Sequence, residues 1–179
     1  VEIDGLIESF RKRSPPPTQE DYDNALERLF RDMDRIRGRT LNSVKFELIH
    51  VECDGIKNSL LRKAMEIVIA LQDLLATQLN DENNRIIQRY KEIHRRIGVE
   101  PSTPEDLQRL KEYIDNVGEE MSELADAFQH VSAGNELLHK YQYTTEGDDF
   151  EQYWTAYEWP KKVTQVLEDS DFKYREYRN

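Results

Sequence analysis

A row of apolar residues at alternating spacings of three and four constrains this chain more than any other feature. The row spans about four heptads and consists of Leu107, Leu110, Ile114, Val117, Met121, Leu124, Phe128 and Val131, and it continues through Asn135 and Leu138. Residues three and four apart share one face of a helix, and a row sustained this long is typical of a helix packed on another helix. The sequence therefore predicts a helix over 104–143 with this row as its packing seam.

A second apolar row precedes it and predicts a helix over 55–97. This row begins with Leu60, Ala64 and Ile67, which follow one another at spacings of four and three. The polar run 80–84 leaves open whether the helix is interrupted there. Gly98 and Pro101 then end the helix, and Thr103 followed by Pro104 restarts the next one. Two long helices joined by so short a loop pack antiparallel, so 55–97 and 104–143 are predicted to form a helical hairpin.

The flanking segments carry shorter signals. Thr18 followed by Asp21 resembles a capping box and predicts a helix over 18–37, whereas the alternation around Val44 and Phe46 predicts a short extended segment near 44–52. The last region, 148–179, is predicted to be an aromatic-rich helical junction. Its junction residues are predicted to be Trp154, Trp159 and Pro160, with a kink or a new helix start at the proline.

Composition supports an all-α fold. Charged residues make up 34% of the chain and hydrophobic residues 37%, a balance that suits amphipathic helices. We therefore predict an elongated helical bundle built on the hairpin, with residues 1–179 as a single helical domain cut from a larger polypeptide. The net charge of −11 argues against a nucleic-acid partner. No apolar run exceeds five residues, which argues against a membrane partner, and the single Cys53 fits a reducing compartment such as the cytoplasm.

Motifs for catalysis are not found in the sequence. The glycines are too far apart for a phosphate-binding loop, so we predict no catalytic residues, no cofactor and no enzymatic activity within this piece. Two Glu-x-x-His pairs, Glu47 with His50 and Glu136 with His139, leave a di-iron four-helix-bundle oxidative enzyme as an alternative. We nevertheless predict no metal site, because Glu136 and His139 flank the seam. A coiled-coil interaction module is a further alternative.

Three blocks of sequence resemble the axonemal dynein heavy chains, the motor subunits of cilia and flagella. The first block is 46–64, which begins Phe46-Glu47-Leu48-Ile49-His50. The second is 100–114, which begins Glu100-Pro101-Ser102-Thr103-Pro104. The third is 150–163, with its Trp159-Pro160 dipeptide after an aromatic helix.

The resemblance implies a place within such a heavy chain. The three blocks are similar to the non-motor N-terminal region, where a helical tail runs into the linker that lies across the AAA+ ring. ATP hydrolysis and microtubule binding belong to other parts of these heavy chains. The resemblance therefore implies a structural and mechanical segment in the axonemal cytoskeleton. Its implied partners are the remainder of the same heavy chain and, as further candidates, other dynein subunits.

Overall fold

The computed structural model describes residues 3–39, 43–46, 49–144 and 147–176. Within these ranges the backbone is mainly helical, which confirms the all-α class. The helices are α1 (Ile3–Lys12), α2 (Gln19–Arg39), α3 (Asp54–Ile97), α4 (Pro104–Lys140) and α5 (Gly147–Glu176).

Two helices begin at the caps that the sequence predicts. At the start of α2, the Thr18 hydroxyl accepts a hydrogen bond from the backbone amide of Asp21 at 3.2 Å, and the Asp21 carboxylate accepts one from the Thr18 amide at 2.9 Å. This reciprocal pair holds the pKa of Asp21 below its usual value, with the backbone hydrogen bond as the largest cause and Arg13 contributing. At the start of α4, the Thr103 hydroxyl accepts from the Asp106 amide at 3.1 Å. Each cap satisfies amides that lack a helical partner.

The extended segment is a β-hairpin. Strands β1 (Ser43–Phe46) and β2 (Ile49–Glu52) pair antiparallel, with Val44 opposite Val51. The sequence analysis expected a single extended stretch near 44–52, and it missed the reversal because residues 47–48 are Glu and Leu and carry no turn signal. Those two residues lie outside the part of the chain that the structure describes.

Helix α3 continues without a break through the polar run 80–84. Local polarity does not end it because the apolar row resumes on the same side, where Leu79, Ile86 and Ile87 are buried. Asn83 lies among them and is only 2% exposed. Its side-chain oxygen is buried and has no hydrogen-bond partner.

Helix α5 continues through Pro160, where the sequence predicted a kink or a new helix start. Pro160 lies inside the helix, which extends sixteen residues beyond it. A proline in a helix interior costs about 3 kcal/mol through a lost hydrogen bond and a steric clash. Apolar residues on both sides of the proline pack into the core and offset this cost: Tyr153, Ala156, Trp159, Val163, Val166 and Leu167. Tertiary packing therefore determines the course of α5 at this point.

The chain divides into two compact units. The first unit comprises Val1–Thr77 with Leu137–Tyr143, and the second comprises Gln78–Glu136 with Thr144–Asn179. Helices α3 and α4 each contribute to both units. The division consequently falls inside regular helices, where neither a loop nor a change of composition marks it.

In the second unit, α3 and α4 pack antiparallel, as predicted. Arg89 on α3 pairs with Glu120 on α4. Seven residues further along α3, the Arg96 guanidinium lies 3.9 Å from the centre of the Tyr113 ring, which is seven residues earlier on α4. A buried cluster fills the interior between these helices and α5, and it consists of Ile86, Tyr90, Ile93, Ile97, Val117, Val131 and Val163.

The first unit has its own buried apolar side chains. Helix α2 contributes Tyr22, Leu26 and Met33 at the spacings of the predicted helix face. Phe10 of α1 meets the Tyr22 ring edge-on, with the ring centres 5.0 Å apart. Burial of large aromatic side chains in this way contributes strongly to stability. Helix α1 was not predicted, since a ten-residue helix is marginal until such a contact forms.

Candidate functional site

The clearest candidate in the second unit is the surface by which α5 packs on the α3–α4 pair. Ala156 and Val163 of α5 are almost completely buried there. The Tyr153 ring stacks on Phe128 of α4 with the ring centres 5.1 Å apart, and its hydroxyl lies 3.0 Å from that of Ser132. These contacts join all three helices into one apolar core, so α5 fixes the position of the hairpin within this unit.

Trp159 is the predicted junction residue that packs against the hairpin. Its ring lies edge-on to that of His94 on α3, with the centres 5.8 Å apart. On the other side, the Lys162 ammonium lies 5.3 Å from the ring centre. The indole Nε1 is buried without a hydrogen-bond partner. The contribution of Trp159 is therefore apolar and aromatic packing, reduced by the cost of one unsatisfied donor.

The other two predicted junction residues are placed differently. Pro160 is half-buried within α5. Trp154 is 47% exposed, and its ring contacts are with residues of its own helix, namely Phe150, Tyr153 and Tyr157. The sequence shows that aromatic residues are concentrated in this region, but it does not show which of them lie on the packed face of α5 and which on the exposed face.

All eight predicted seam residues lie on the packed side of α4. Val117 and Val131 are buried. The six others are half-buried, and they are Leu107, Leu110, Ile114, Met121, Leu124 and Phe128. Of these six, the four from Ile114 to Phe128 pack against the buried cluster of the second unit.

A polar cluster in the first unit joins α2 to the end of α4, and no sequence pattern predicted it. Lys140 donates to the Asp23 carboxylate at 2.7 Å, and the Tyr141 hydroxyl donates to the same oxygen at 2.5 Å. The Tyr141 ring stacks on Phe30 of α2, with the centres 5.4 Å apart. The partners are about 118 residues apart, so no local pattern could reveal them.

This cluster perturbs the ionisation of its members. The pKa of Asp23 is lowered, chiefly by the hydrogen bond from Lys140 and next by that from Tyr141. The pKa of Tyr141 is raised, first by burial and then by its hydrogen bond to Asp23. Next to it, the Tyr143 hydroxyl donates to Asp73 and the Gln72 amide donates to the Tyr141 carbonyl, each at 3.0 Å. The turn after α4 is thereby tied to α2 and α3 within the first unit.

Two of the four residues considered for a di-iron centre have described side chains. These two, Glu136 and His139, are both exposed on α4. Glu47 lies outside the described residues, and so does the side chain of His50. Among the residues that the structure describes, no group of three or more His, Cys, Asp or Glu side chains is placed to hold a metal ion.

A cavity of about 520 Å³ lies beside the loop between α3 and α4 in the second unit. Its lining combines apolar side chains such as Ile97, Leu107 and Val166 with the carboxylates of Glu100 and Asp169. Neither Cys nor His is part of that lining. The described helices also include none with the length and apolar character needed to cross a bilayer.

Comparison with known proteins gives relatives of one kind. No protein-family model matches the chain. Dynein axonemal heavy chain 1 of Homo sapiens is 27% identical over 119 residues, and that of Mus musculus is 27% identical over 114 residues. These matches cover 66% and 64% of this chain. The chain is similar to axonemal dynein heavy chains over about two thirds of its length.

The relationship confirms the resemblance seen in the sequence. The heavy chain 1 of Rattus norvegicus is 21% identical over 154 residues. The matched region spans only about 3% of the length of each dynein relative. The similarity therefore concerns one small helical part of a very long polypeptide.

Proposed function

We propose that this chain is a non-catalytic structural segment of an axonemal dynein heavy chain, located in the tail that leads into the linker. The observation that carries the proposal is the similarity to axonemal heavy chains over about two thirds of the chain. Of the sequence blocks that resemble the tail region, 46–64 includes β2 and the start of α3, 100–114 includes the start of α4, and 150–163 lies in α5. Trp159 and the seam residues from Ile114 to Phe128 pack in or against the apolar core, as a segment with a mechanical role requires.

The proposed role is mechanical. Antiparallel helices with a continuous apolar seam resist bending, because bending would separate side chains that are packed at high density. In the second unit, α5 adds a third helix and Trp159 closes the contact with α3. The segment would transmit force between the remainder of the heavy chain on either side of it, in a microtubule motor for ciliary motility. Other dynein subunits are additional candidate partners, and the axonemal cytoskeleton is the proposed location.

An antibody raised against residues 1–179 tests this proposal in axonemes prepared from the source cells. We expect it to detect a polypeptide of several hundred kilodaltons that stays with demembranated axonemes and is extracted together with dynein ATPase activity. Detection of a polypeptide near 21.3 kDa alone, or its absence from axonemes, would overturn the proposal.

Limited proteolysis of the extracted motor then tests two parts of the proposal: that the segment lies in the tail and that it does not catalyse ATP hydrolysis. We expect the epitope to separate with a fragment that does not hydrolyse ATP, while the ATPase remains in another fragment. The purified 179-residue chain should likewise release no phosphate from ATP above a blank. An epitope confined to the ATPase fragment would contradict the assignment to the tail.

A further inference from the structure

The outer face of α5 in the second unit exposes three large aromatic side chains side by side. Phe150, Trp154 and Tyr157 are 57%, 47% and 60% exposed. Trp154 meets Phe150 and Tyr157 edge-on, with ring centres 6.0 and 5.5 Å apart. A contiguous exposed aromatic row of this kind marks an interaction surface, because exposed rings remain in contact with water until a partner covers them.

Acidic residues border this aromatic row. Glu151 and Glu158 are exposed on α5, three residues before and four residues after Trp154, so they lie beside it on the helix surface. Glu158 is paired with Lys162 at 3.3 Å, whereas Glu151 has no pairing among the described ion pairs. We call Phe150, Glu151, Trp154, Tyr157 and Glu158 the acidic aromatic face.

The face lies within a strongly acidic stretch of the sequence. Residues 112–160 contain twelve Asp and Glu residues and one basic residue, Lys140, which is paired with Asp23. The rest of the chain holds 24 acidic and 24 basic residues, so the whole net charge of −11 is carried by this stretch. The stretch is followed directly by the exposed Lys161 and Lys162, but its own net charge is negative, which attracts cationic partners and repels anionic ones.

We propose that the acidic aromatic face is a docking site for a basic amphipathic helix of another polypeptide segment. From Phe150 to Tyr157 the aromatic row covers seven residues, or roughly 10 Å of helix, which matches the apolar anchors presented by two turns of a partner helix. Lysine and arginine side chains flanking those anchors would meet Glu151 and Glu158 and the faces of Trp154 and Tyr157.

The same charges argue against a second copy of this chain as the occupant. A symmetric dimer through this face would place the acidic residues of one copy against those of the other, and such like-charge contacts are unfavourable. The docking proposal rests on this surface alone and would hold even if the place in the dynein tail were different.

The test uses the whole chain and a synthetic helical peptide of about 18 residues, or five turns, with leucines on one face and lysines on the other. The comparison peptide replaces every lysine with glutamate. In the Trp159→Phe variant, Trp154 is the remaining tryptophan, and its fluorescence should shift to shorter wavelength when the Leu/Lys peptide binds. The Leu/Glu peptide should produce no shift.

Isothermal titration calorimetry on variants then distinguishes peptide binding at the acidic aromatic face from general electrostatic attraction to the chain. Trp154→Ala should weaken binding of the Leu/Lys peptide at least tenfold, and Glu151→Gln with Glu158→Gln should weaken it severalfold and reduce its salt dependence. Ile69→Ala is the matched control, because Ile69 is equally exposed at 47% but lies on α3 in the first unit, and it should bind like the parent.

Three results would overturn the proposal. The first is equal affinity of the Leu/Lys peptide for the parent and the Trp154→Ala variant when circular dichroism shows both are folded. The second is equal binding of the Leu/Glu peptide. The third is a concentration-dependent dimer in sedimentation that Trp154→Ala abolishes, which would assign the face to self-association. Should Trp154→Ala fail to fold, the fluorescence of Trp154 in the Trp159→Phe variant decides the question by itself.

Discussion

Replacing Tyr141 with phenylalanine removes one hydroxyl from the cluster that ties α2 to the end of α4. The substitution keeps the ring that stacks on Phe30 and deletes the hydrogen bond to the Asp23 carboxylate. Hydrogen bonds to charged groups contribute about 1.5–3 kcal/mol. The Asp23 side chain is 38% exposed, so solvent screens the interaction and we expect the lower end, about 1.5 kcal/mol.

The loss should depend on pH in a defined direction. The pKa of Asp23 is lowered in the folded chain, with Lys140 as the largest cause and Tyr141 as the next. A carboxylate with a depressed folded pKa contributes stability that is present above its unfolded pKa, near 4, and is lost as pH falls through the folded value. The difference between parent and variant should therefore be complete at pH 7 and shrink once the pH falls below about 4.

Urea unfolding followed by circular dichroism measures this difference, and amide hydrogen exchange in α2 localises it to the first unit. For a chain of this size, the expected loss corresponds to a melting temperature lower by about 3–6 °C. Tyr153→Phe is the matched control, because the Tyr153 hydroxyl faces the neutral hydroxyl of Ser132 at 3.0 Å. It should cost about 1 kcal/mol, with little change as the pH falls from 7 to well below 4. Unchanged stability of Tyr141→Phe at pH 7, or a loss that stays the same well below pH 4, would refute the reasoning.

Three further predictions test the second unit. Asn83→Leu should raise the free energy of unfolding by about 1 kcal/mol in urea titrations, because a near-isosteric apolar side chain replaces a buried oxygen without a partner; a loss would show that the oxygen is satisfied. Gly118→Ala should also stabilise the chain by about 1 kcal/mol in thermal melts, because an added Cβ meets no atom within 4 Å and alanine favours the helix. An unchanged melting temperature would mean that α4 is not a stable helix at this position. Trp159→Ala should lower the free energy of unfolding by about 3 kcal/mol, which is the lower end for tryptophan truncation because the ring is half-buried. The exposed Trp154, replaced by alanine, should change it by less than about 0.5 kcal/mol. Equal melting curves for the two variants would contradict the assignment of Trp159 as the residue that joins α5 to α3.

Local chemistry explains which parts of the fold were predictable. The caps at Thr18 and Thr103 and the row from Leu107 to Val131 are short-range patterns, and α2 and α4 follow them. Helix α1 depends on the contact between Phe10 and Tyr22, which no window of neighbouring residues reveals.

The candidate site was predictable only in part, for a related reason. Aromatic density marked the region from Phe150 to Trp159, but which aromatics face inward depends on the placement of α5 against Phe128 and His94. The continuation of α5 through Pro160 likewise depends on packing that outweighs a local penalty. The cluster of Asp23, Lys140 and Tyr141 joins distant segments and became visible only in the folded chain.

The antiparallel pairing of α3 with α4 underlies the structural role proposed here, and chemical cross-linking tests it most directly. In a Cys53→Ser background, Arg89→Cys and Glu120→Cys place two thiols at positions whose native side chains form an ion pair. A short bismaleimide should join them within one molecule. The control pair, Arg89→Cys with Glu105→Cys, lies roughly 22 Å out of register along α4 and should remain unlinked. Efficient linking of the control pair, or none of the first, would contradict the account.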